Sequence, residues 1–442
     1  MNDLRTYLHC LKHLDGVRSL QYFNLMRFAT TLLIGVVLAK SGLPPAQIAL
    51  YEGWLFFANL FTFYWIIGGQ NAVLQRFPRL SKHRQVPFFQ AVFGLWLVFG
   101  LAVGSVWWWY GDHMVPLLSR FEQLPAMGWL AAFMWWHTPS WLVQAWYLLH
   151  KRYGELLVFG ALSGLGQWLA VGVPVLCKQP FQWVFAALGI LALAKMLWAV
   201  RLVFLSRGWR PWWGGVKVYL AAAAPLMAHV LVGQSVDYID GLIVGSHFEE
   251  AWFAIYRYGA RELPLSLLLV GAMVTGSIPL VAMHGDAVLE VLKRRIARLS
   301  HLLFPLSIVL MWLSPWAFRV VYSESFVYSA QVFNVYLLLV GSRVLLPQVV
   351  LIGMGHNKVL VYSALCETVL NVALSLWWLH YWGVIGIAMA SVVAYLCNKA
   401  LLMGWAWWRL GIAPHRYWPW KVWLVWHGLL WLSWLATLSV AY

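Results

Sequence analysis

The chain alternates long apolar runs with short polar or basic interruptions. The runs fall at about 17–40, 48–72, 87–110, 126–149, 155–176, 181–205, 217–246, 252–282, 299–319, 326–352, 359–380, 384–408 and 420–441. Each is long enough to cross a hydrocarbon core of roughly 30 Å as a helix. The pattern predicts an all-α polytopic membrane protein with about 12–13 transmembrane helices. The last run is rich in Trp and suits a helix lying in the interface as well as one that spans.

Two stretches open in the same register. Ala49-Leu50-Tyr51-Glu52 begins the second run and Ala254-Ile255-Tyr256-Arg257 the eighth. Each follows a run with glycine near its outer end, Leu33-Ile34-Gly35 and Leu242-Ile243-Val244-Gly245. Six runs separate the two, an even number that preserves orientation, so the pattern predicts parallel repeats. The expected organisation is an N-terminal lobe over 1–210, a C-terminal lobe over 211–410 and an additional apolar helix over 411–442. Two six-helix lobes around a central cavity are the architecture of a transporter. A basic connector, Arg207–Lys217, falls near mid-chain, and a basic segment with Lys293, Arg294, Arg295 and Arg298 reads as an amphipathic helix on the inner face.

Composition sharpens this picture. The chain is 62% hydrophobic and 10% charged, with mean hydropathy +0.71, unlike any soluble class. Its formal charge of +16 invites a nucleic-acid reading, but the distribution argues against one. With the N-terminus taken as cytoplasmic, 21 of the 31 Lys and Arg fall on inner segments and 4 on outer ones. The positive-inside rule accounts for that bias without a polyanion partner. Trp107–Trp109, Trp377, Trp378, Trp407, Trp408, Trp418 and Trp420 cluster at run ends, where indole rings anchor in the headgroup layer. The four cysteines show no metal-ligand spacing, and no GxxxxGK[ST] phosphate loop occurs. No cofactor or metal is expected, and no catalytic residue is assigned.

The remaining charges lie inside the runs, where they are costly and mark a pathway, a site or a pairing. Asp237 and Asp240 share one helix face, and Arg257 and Arg261 share another. Counted from the turn between their runs, Asp240 lies level with Arg257 and Asp237 with Arg261. Those pairs either lock the hairpin or exchange partners, with a phosphate competing for the arginines and a proton or Na⁺ for the aspartates. Glu262 points elsewhere on the helix, toward the other lobe or an outer vestibule, and Pro264 is placed to kink it. Arg27 stands alone in the first run, too deep to reach the surface easily, and reads as a cavity arginine for an anionic substrate. Lys195 is a second candidate for that cavity. Glu367 is expected to pair with Arg343 or Lys399. Six intramembrane bases outnumber the four deep acids, which favours an anionic substrate over a cationic drug. His137, His229 and His301 read as helix–helix hydrogen-bonding groups.

The stretch Ala254-Ile255-Tyr256-Arg257-Tyr258-Gly259-Ala260-Arg261-Glu262-Leu263-Pro264, followed by Ile278-Pro279, resembles the eighth helix of the oligosaccharide flippases. These O-antigen type translocases belong to the multidrug/oligosaccharidyl-lipid/polysaccharide exporter superfamily and have lipid II flippases as cousins. Asp237 and Asp240 resemble the acidic position common in the family's seventh helix. Gly353 to Lys358, the E-x-x-x-N of Glu367 and Asn371, and Gly383-Val384-Ile385-Gly386-Ile387-Ala388 resemble its C-terminal half. The resemblance covers most of 20–410.

The resemblance implies a flippase that turns a polyprenyl-diphosphate-linked oligosaccharide from the inner to the outer leaflet by alternating access, for polysaccharide or O-antigen biosynthesis. Arg27, Arg257, Arg261 and Lys195 would bind substrate, and Asp237, Asp240 and Glu262 would couple H⁺ or Na⁺, or gate. Partners would be the lipid-linked glycan, membrane lipids and a polysaccharide polymerase or glycosyltransferases, in the bacterial cytoplasmic membrane. Two other readings are a cation-coupled multidrug exporter of the same superfamily and a membrane-embedded polysaccharide polymerase or ligase. The first calls for an acidic, aromatic-lined cavity, the second for acid/base groups in a sizeable outer loop or around an intramembrane His.

Overall fold

A helix is the cheapest way to place an apolar run in lipid, because it satisfies every backbone polar group within its own segment. A computed structural model describes residues 16–204 and 208–440, and every apolar run within them is helical. In chain order the helices are α1 (Gly16–Lys40), α2 (Pro45–Leu60), α3 (Phe63–Arg76), α4 (Lys82–Leu118), α5 (Met127–Ser140), α6 (Leu142–Leu149), α7 (Tyr153–Leu176) and α8 (Gln182–Phe204). They continue as α9 (Gly214–His247), α10 (Glu250–Gly259), α11 (Pro264–His284), α12 (Leu289–Val321), α13 (Val327–Leu338), α14 (Val340–Arg343), α15 (Pro347–Gly353), α16 (Asn357–Leu410) and α17 (Trp420–Val440). Among the described residues, eight helical stretches have the length and composition to cross a membrane. Two of these, Pro264–Val321 and Lys358–Leu410, are long enough to cross twice.

The helix α16 holds two of the expected runs. Gly383 lies inside it at φ 57°, ψ −134°, a conformation open essentially to glycine alone. Asn371 donates to Ser391 Oγ at 3.0 Å. Twenty residues of straight helix would hold these side chains about 30 Å apart, so the chain doubles back at Gly383 and the run is a helical hairpin.

Four runs are interrupted, and they occupy matching places. The second run breaks between α2 and α3, where Thr62 Oγ1 bonds back to Ala58 O at 2.8 Å and competes with the helix ladder. The fourth is interrupted at Trp141, just after Pro139. The eighth unwinds over residues 260–263 before Pro264, and the tenth over 344–346 before Pro347. Proline lacks the N–H that would continue each ladder. The eighth and tenth runs thus repeat the second and fourth six runs later, as the shared register predicts.

The chain forms two compact units that meet at Leu231 and Val232, inside α9. In the first unit α4 packs on α5, α5 on α8, and α1 on α7. Gly100 and Gly104 let α4 approach α5: a Cβ at Gly104 would lie 2.4 Å from the Trp135 ring. An aromatic core of Phe88, Phe89, Phe93, Trp96 and Tyr219 closes this unit, with Trp96 Nε1 donating to Tyr219 OH at 2.8 Å. In the second unit α12 packs on α13 and α17, and α10 on α13.

The terminal helix α17 lies along α12 in the same direction. His301 bonds Trp426, Phe304 meets the His427 ring, and Trp312 donates to Ser433 at 2.8 Å. It therefore travels the depth that α12 travels. Trp108, Trp109, Trp316, Trp377, Trp382, Trp407 and Trp408 stay exposed at helix ends, as interface anchors do.

Candidate functional site

The intramembrane charges separate by unit, with different chemistry in each. In the first unit Arg27 on α1, His137 on α5 and Lys195 on α8 act on one another electrostatically. Arg27 and Lys195 sit near the middle of α1 and α8, and His137 in the last turn of α5, before the interruption of the fourth run. The Arg27 guanidinium lies 4.2 Å above the Trp141 ring, a cation–π contact at the interruption of the fourth run. Gln70 Nε2 donates to the Trp141 carbonyl at 2.6 Å and steadies that segment. Among the described residues no carboxylate pairs with Arg27 or Lys195, and Arg27 keeps exposed surface. Two like charges held together at depth, without an acid between them, form a site complementary to an anion.

The second unit gathers acids and bases together. Asp240 on α9 is 1% exposed and accepts hydrogen bonds from Ser391 and, at 3.3 Å, from Tyr256. Tyr256 in turn shares a 2.8 Å bond with Tyr336, and Asn371 lies beside the same carboxylate. Asp240 Oδ1, Asn371 Oδ1 and Ser375 Oγ are buried oxygens with no hydrogen-bond partner among the described residues. An orphaned buried acceptor is costly unless something else bonds it.

Asp237, one turn deeper, stays exposed, and its charged neighbours are Glu262, Arg343 and Arg257. Arg257, on α10, is a base in its field. The Arg261 guanidinium stacks 4.9 Å from the Tyr258 ring.

Glu262 departs from the helical count. It forms a two-point ion pair with Arg343. The reason is local: residues 260–263 are not helical, so helix periodicity does not set the direction of Glu262. Arg343 also stacks on Tyr395, 4.5 Å from its ring centroid. With Arg343 engaged by Glu262, the foremost charged neighbour of Glu367 is Lys399, whose Nζ donates to Gln348 Oε1 at 3.2 Å.

Sequence reasoning identified the charges but missed neutral groups that hold them: Trp141, Gln70, Tyr336, Ser391 and Tyr395; Tyr256 was noted only as part of the repeated register. Tyr336, Tyr395 and Ser391 carry no pattern that singles them out. Trp141 has one weak signal, its place four residues after His137.

The repeat relates the two clusters. The matched glycine motifs place Arg27 and Asp237 at corresponding positions of the first helix in each half. Lys195 and Lys399 stand in the sixth run of each half, and Trp141 and Arg343 each sit at the interruption of a fourth. One scaffold thus carries a basic set in one unit and an acid–base network in the other.

The family model for the lipid II flippase MurJ matches residues 146–441, two thirds of the chain. The chain belongs to the MurJ family. Of the solved structures it resembles, the lipid II flippase MurJ in an inward closed conformation aligns over 95% of this chain and 98% of its own, with TM-score 0.70 and 14% identity. An inward-facing multidrug resistance MATE transporter of the MOP superfamily aligns over 89% and 98%, with TM-score 0.66 and 13% identity. A MOP superfamily transporter from Pyrococcus furiosus, described as having a binding pocket of reversed polarity, aligns over 89% and 94%, with TM-score 0.58 and 13% identity. No curated protein matches the sequence. At these identities the structures speak for the fold, and the family model for the membership. The superfamily read from the sequence stands, and the matching family is the lipid II branch named as cousin to the O-antigen translocases. The MurJ family is a family of transporters, in keeping with a chain to which no catalytic residue was assigned.

Proposed function

We propose that this protein is a flippase for a polyprenyl-diphosphate-linked glycan in the bacterial cytoplasmic membrane, with its N-terminus on the cytoplasmic side. The observation that carries the reading is that Arg27 and Lys195, each near the middle of an apolar helix, act on one another, with no carboxylate partner for either among the described residues. A diphosphate is the part of such a substrate that every lipid-linked glycan shares, and guanidinium and ammonium groups bind it by charge-assisted hydrogen bonds. Arg257 and Arg261 are proposed as further contacts during the transport cycle. The polyprenyl tail stays in lipid while the glycan crosses in water. A cation-coupled drug exporter would need an acidic site where this chain offers a basic one.

Alternating access needs a ligand that binds one state better than the other. For the return step we propose Na⁺ or H⁺ at Asp240, with Asp237 as the accessible acid on the same face. The unpartnered oxygens of Asp240, Asn371 and Ser375 support that role, because a small hard cation would bond them. Glu262 is proposed as a gate through its exchangeable pair with Arg343.

The test is transport in liposomes of two fluorescent substrates, a lipid II and an O-antigen type oligosaccharide on polyprenyl diphosphate. The reading predicts movement of at least one and its loss in Arg27→Ala. Movement of both would place recognition in the diphosphate; movement of one would name the glycan. Chemical change of either glycan without movement would overturn the proposal in favour of a polymerase or ligase.

A further inference from the structure

His137 bonds the same Trp141 on which Arg27 rests, feels both cations of the first unit, and belongs to none of the roles above. Trp141 Nε1 donates to His137 Nε2 at 2.9 Å. An indole nitrogen can only donate, so this bond requires Nε2 to carry a lone pair. The imidazole in this arrangement is therefore neutral, with its proton on Nδ1. Stacking on Phe133, at 4.4 Å between ring centres, holds the ring in place.

The charged groups acting on it are Lys195 from α8 and Arg27 from α1. Among the described residues, no charged group from the other elements packed against α5 acts on it. From α2 it is Trp54 that meets α5, at Phe133, and Glu52 lies about 200° around that helix. From α4 the approach is through Gly100 and Gly104, while Asp112 and His113 fall beside Met127 at the far end. A proton added to His137 would meet two cations and an opposing indole N–H.

An anion placed on Arg27 and Lys195 removes the first obstacle and supplies a new acceptor. We propose that His137 is the third, conditional ligand of this site: it takes up a proton when a diphosphate binds, donates to it, and releases Trp141. Trp141 is also the platform beneath Arg27 and the interruption point of the fourth run, so its release would report occupancy to a segment already lacking a continuous helix ladder. The same chain carries an internal comparison. His427 accepts from Trp431 at 2.9 Å with the same four-residue spacing, and no cation acts on it among the described residues. The bond alone is an ordinary helix-surface feature; the two cations beside His137 make it responsive. This inference rests on the proposed diphosphate site.

The experiment is calorimetric titration of the full-length protein with inorganic pyrophosphate, in buffers of different ionisation enthalpy and across pH. Arg27→Ala, His137→Gln and Trp141→Phe are measured in parallel. Pyrophosphate's own protonation is common to all, so differences between proteins isolate the chain's contribution. The native protein is expected to take up about one proton more than His137→Gln on binding, and its affinity to fall with rising pH by up to about tenfold more per unit. Trp141→Phe, which removes the opposing donor, should take up less than the native protein because His137 is partly protonated beforehand. This second variant decides the matter if His137→Gln does not fold. Equal proton uptake in all binding-competent proteins, with binding lost in Arg27→Ala, would overturn the role of His137 and leave the site intact. Unchanged binding in Arg27→Ala, or none by the native protein, would overturn the site itself and this inference with it.

Discussion

At the residue scale, the second unit separates acids that look alike in sequence. Glu262 and Arg343 form a two-point pair, with 15% and 22% of their side chains exposed. Breaking a fully buried pair costs about 3–5 kcal/mol, and this partial exposure brings the expectation down to roughly 2 kcal/mol. Arg343→Gln should therefore lower the thermal midpoint of the detergent-purified protein, and Glu262→Gln added to it should cost little more. Equal and additive losses would contradict the pairing. Asp240 makes a different prediction. Na⁺ should raise the midpoint of the native protein and not that of Asp240→Asn, since a ligand of the folded state stabilises by mass action. A Na⁺ response that survives in Asp240→Asn would remove the cation from that carboxylate. The charges were legible in the sequence because ionisable groups in apolar runs are rare; their partners were not. The pair of Glu262 with Arg343 was not read because the count assumed an unbroken helix through residues 260–263, and Ser391 and Tyr336 are individually unremarkable.

At the element scale, the interruptions and reversals follow from particular residues. Gly383 turns one long helical stretch into a hairpin and brings Glu367, Asn371, Ser391 and Lys399 into one unit. Its backbone conformation strains any side chain, so Gly383→Ala should destabilise by roughly 1–3 kcal/mol, read as a lower midpoint for heat-induced aggregation. Gly259 sits where α10 meets α13, and a Cβ there would stand 2.4 Å from Ser329 O. Gly259→Val should part those helices and reduce the yield of folded protein, while Gly404→Val, with open space around it, should not. The apolar runs and Pro264 made the spans and one of the breaks readable in advance. The direction of α17 was not readable, because a Trp-rich amphiphile fits the interface and the bundle equally well. Packing against α12 through Trp426, His427 and Ser433 decides it.

At the scale of the whole molecule, a repeated scaffold carries different chemistry in its two units. Arg27, Lys195 and Trp141 stand where Asp237, Lys399 and Arg343 stand in the second half, so the diphosphate and the coupling cation proposed above would each be met on related helices. The weak sequence repeat anticipated this correspondence, and the matching interruptions six runs apart give it a structural basis. The family membership adds what composition alone does not, that such a scaffold serves a flippase. The most direct test of the account is transbilayer movement of a polyprenyl-diphosphate-linked glycan by the reconstituted protein, with Arg27→Ala and Lys195→Met measured beside it. The account predicts movement by the native protein, a loss of at least tenfold in each variant, and normal folding of both. Movement that is unchanged when both cations are gone would contradict it.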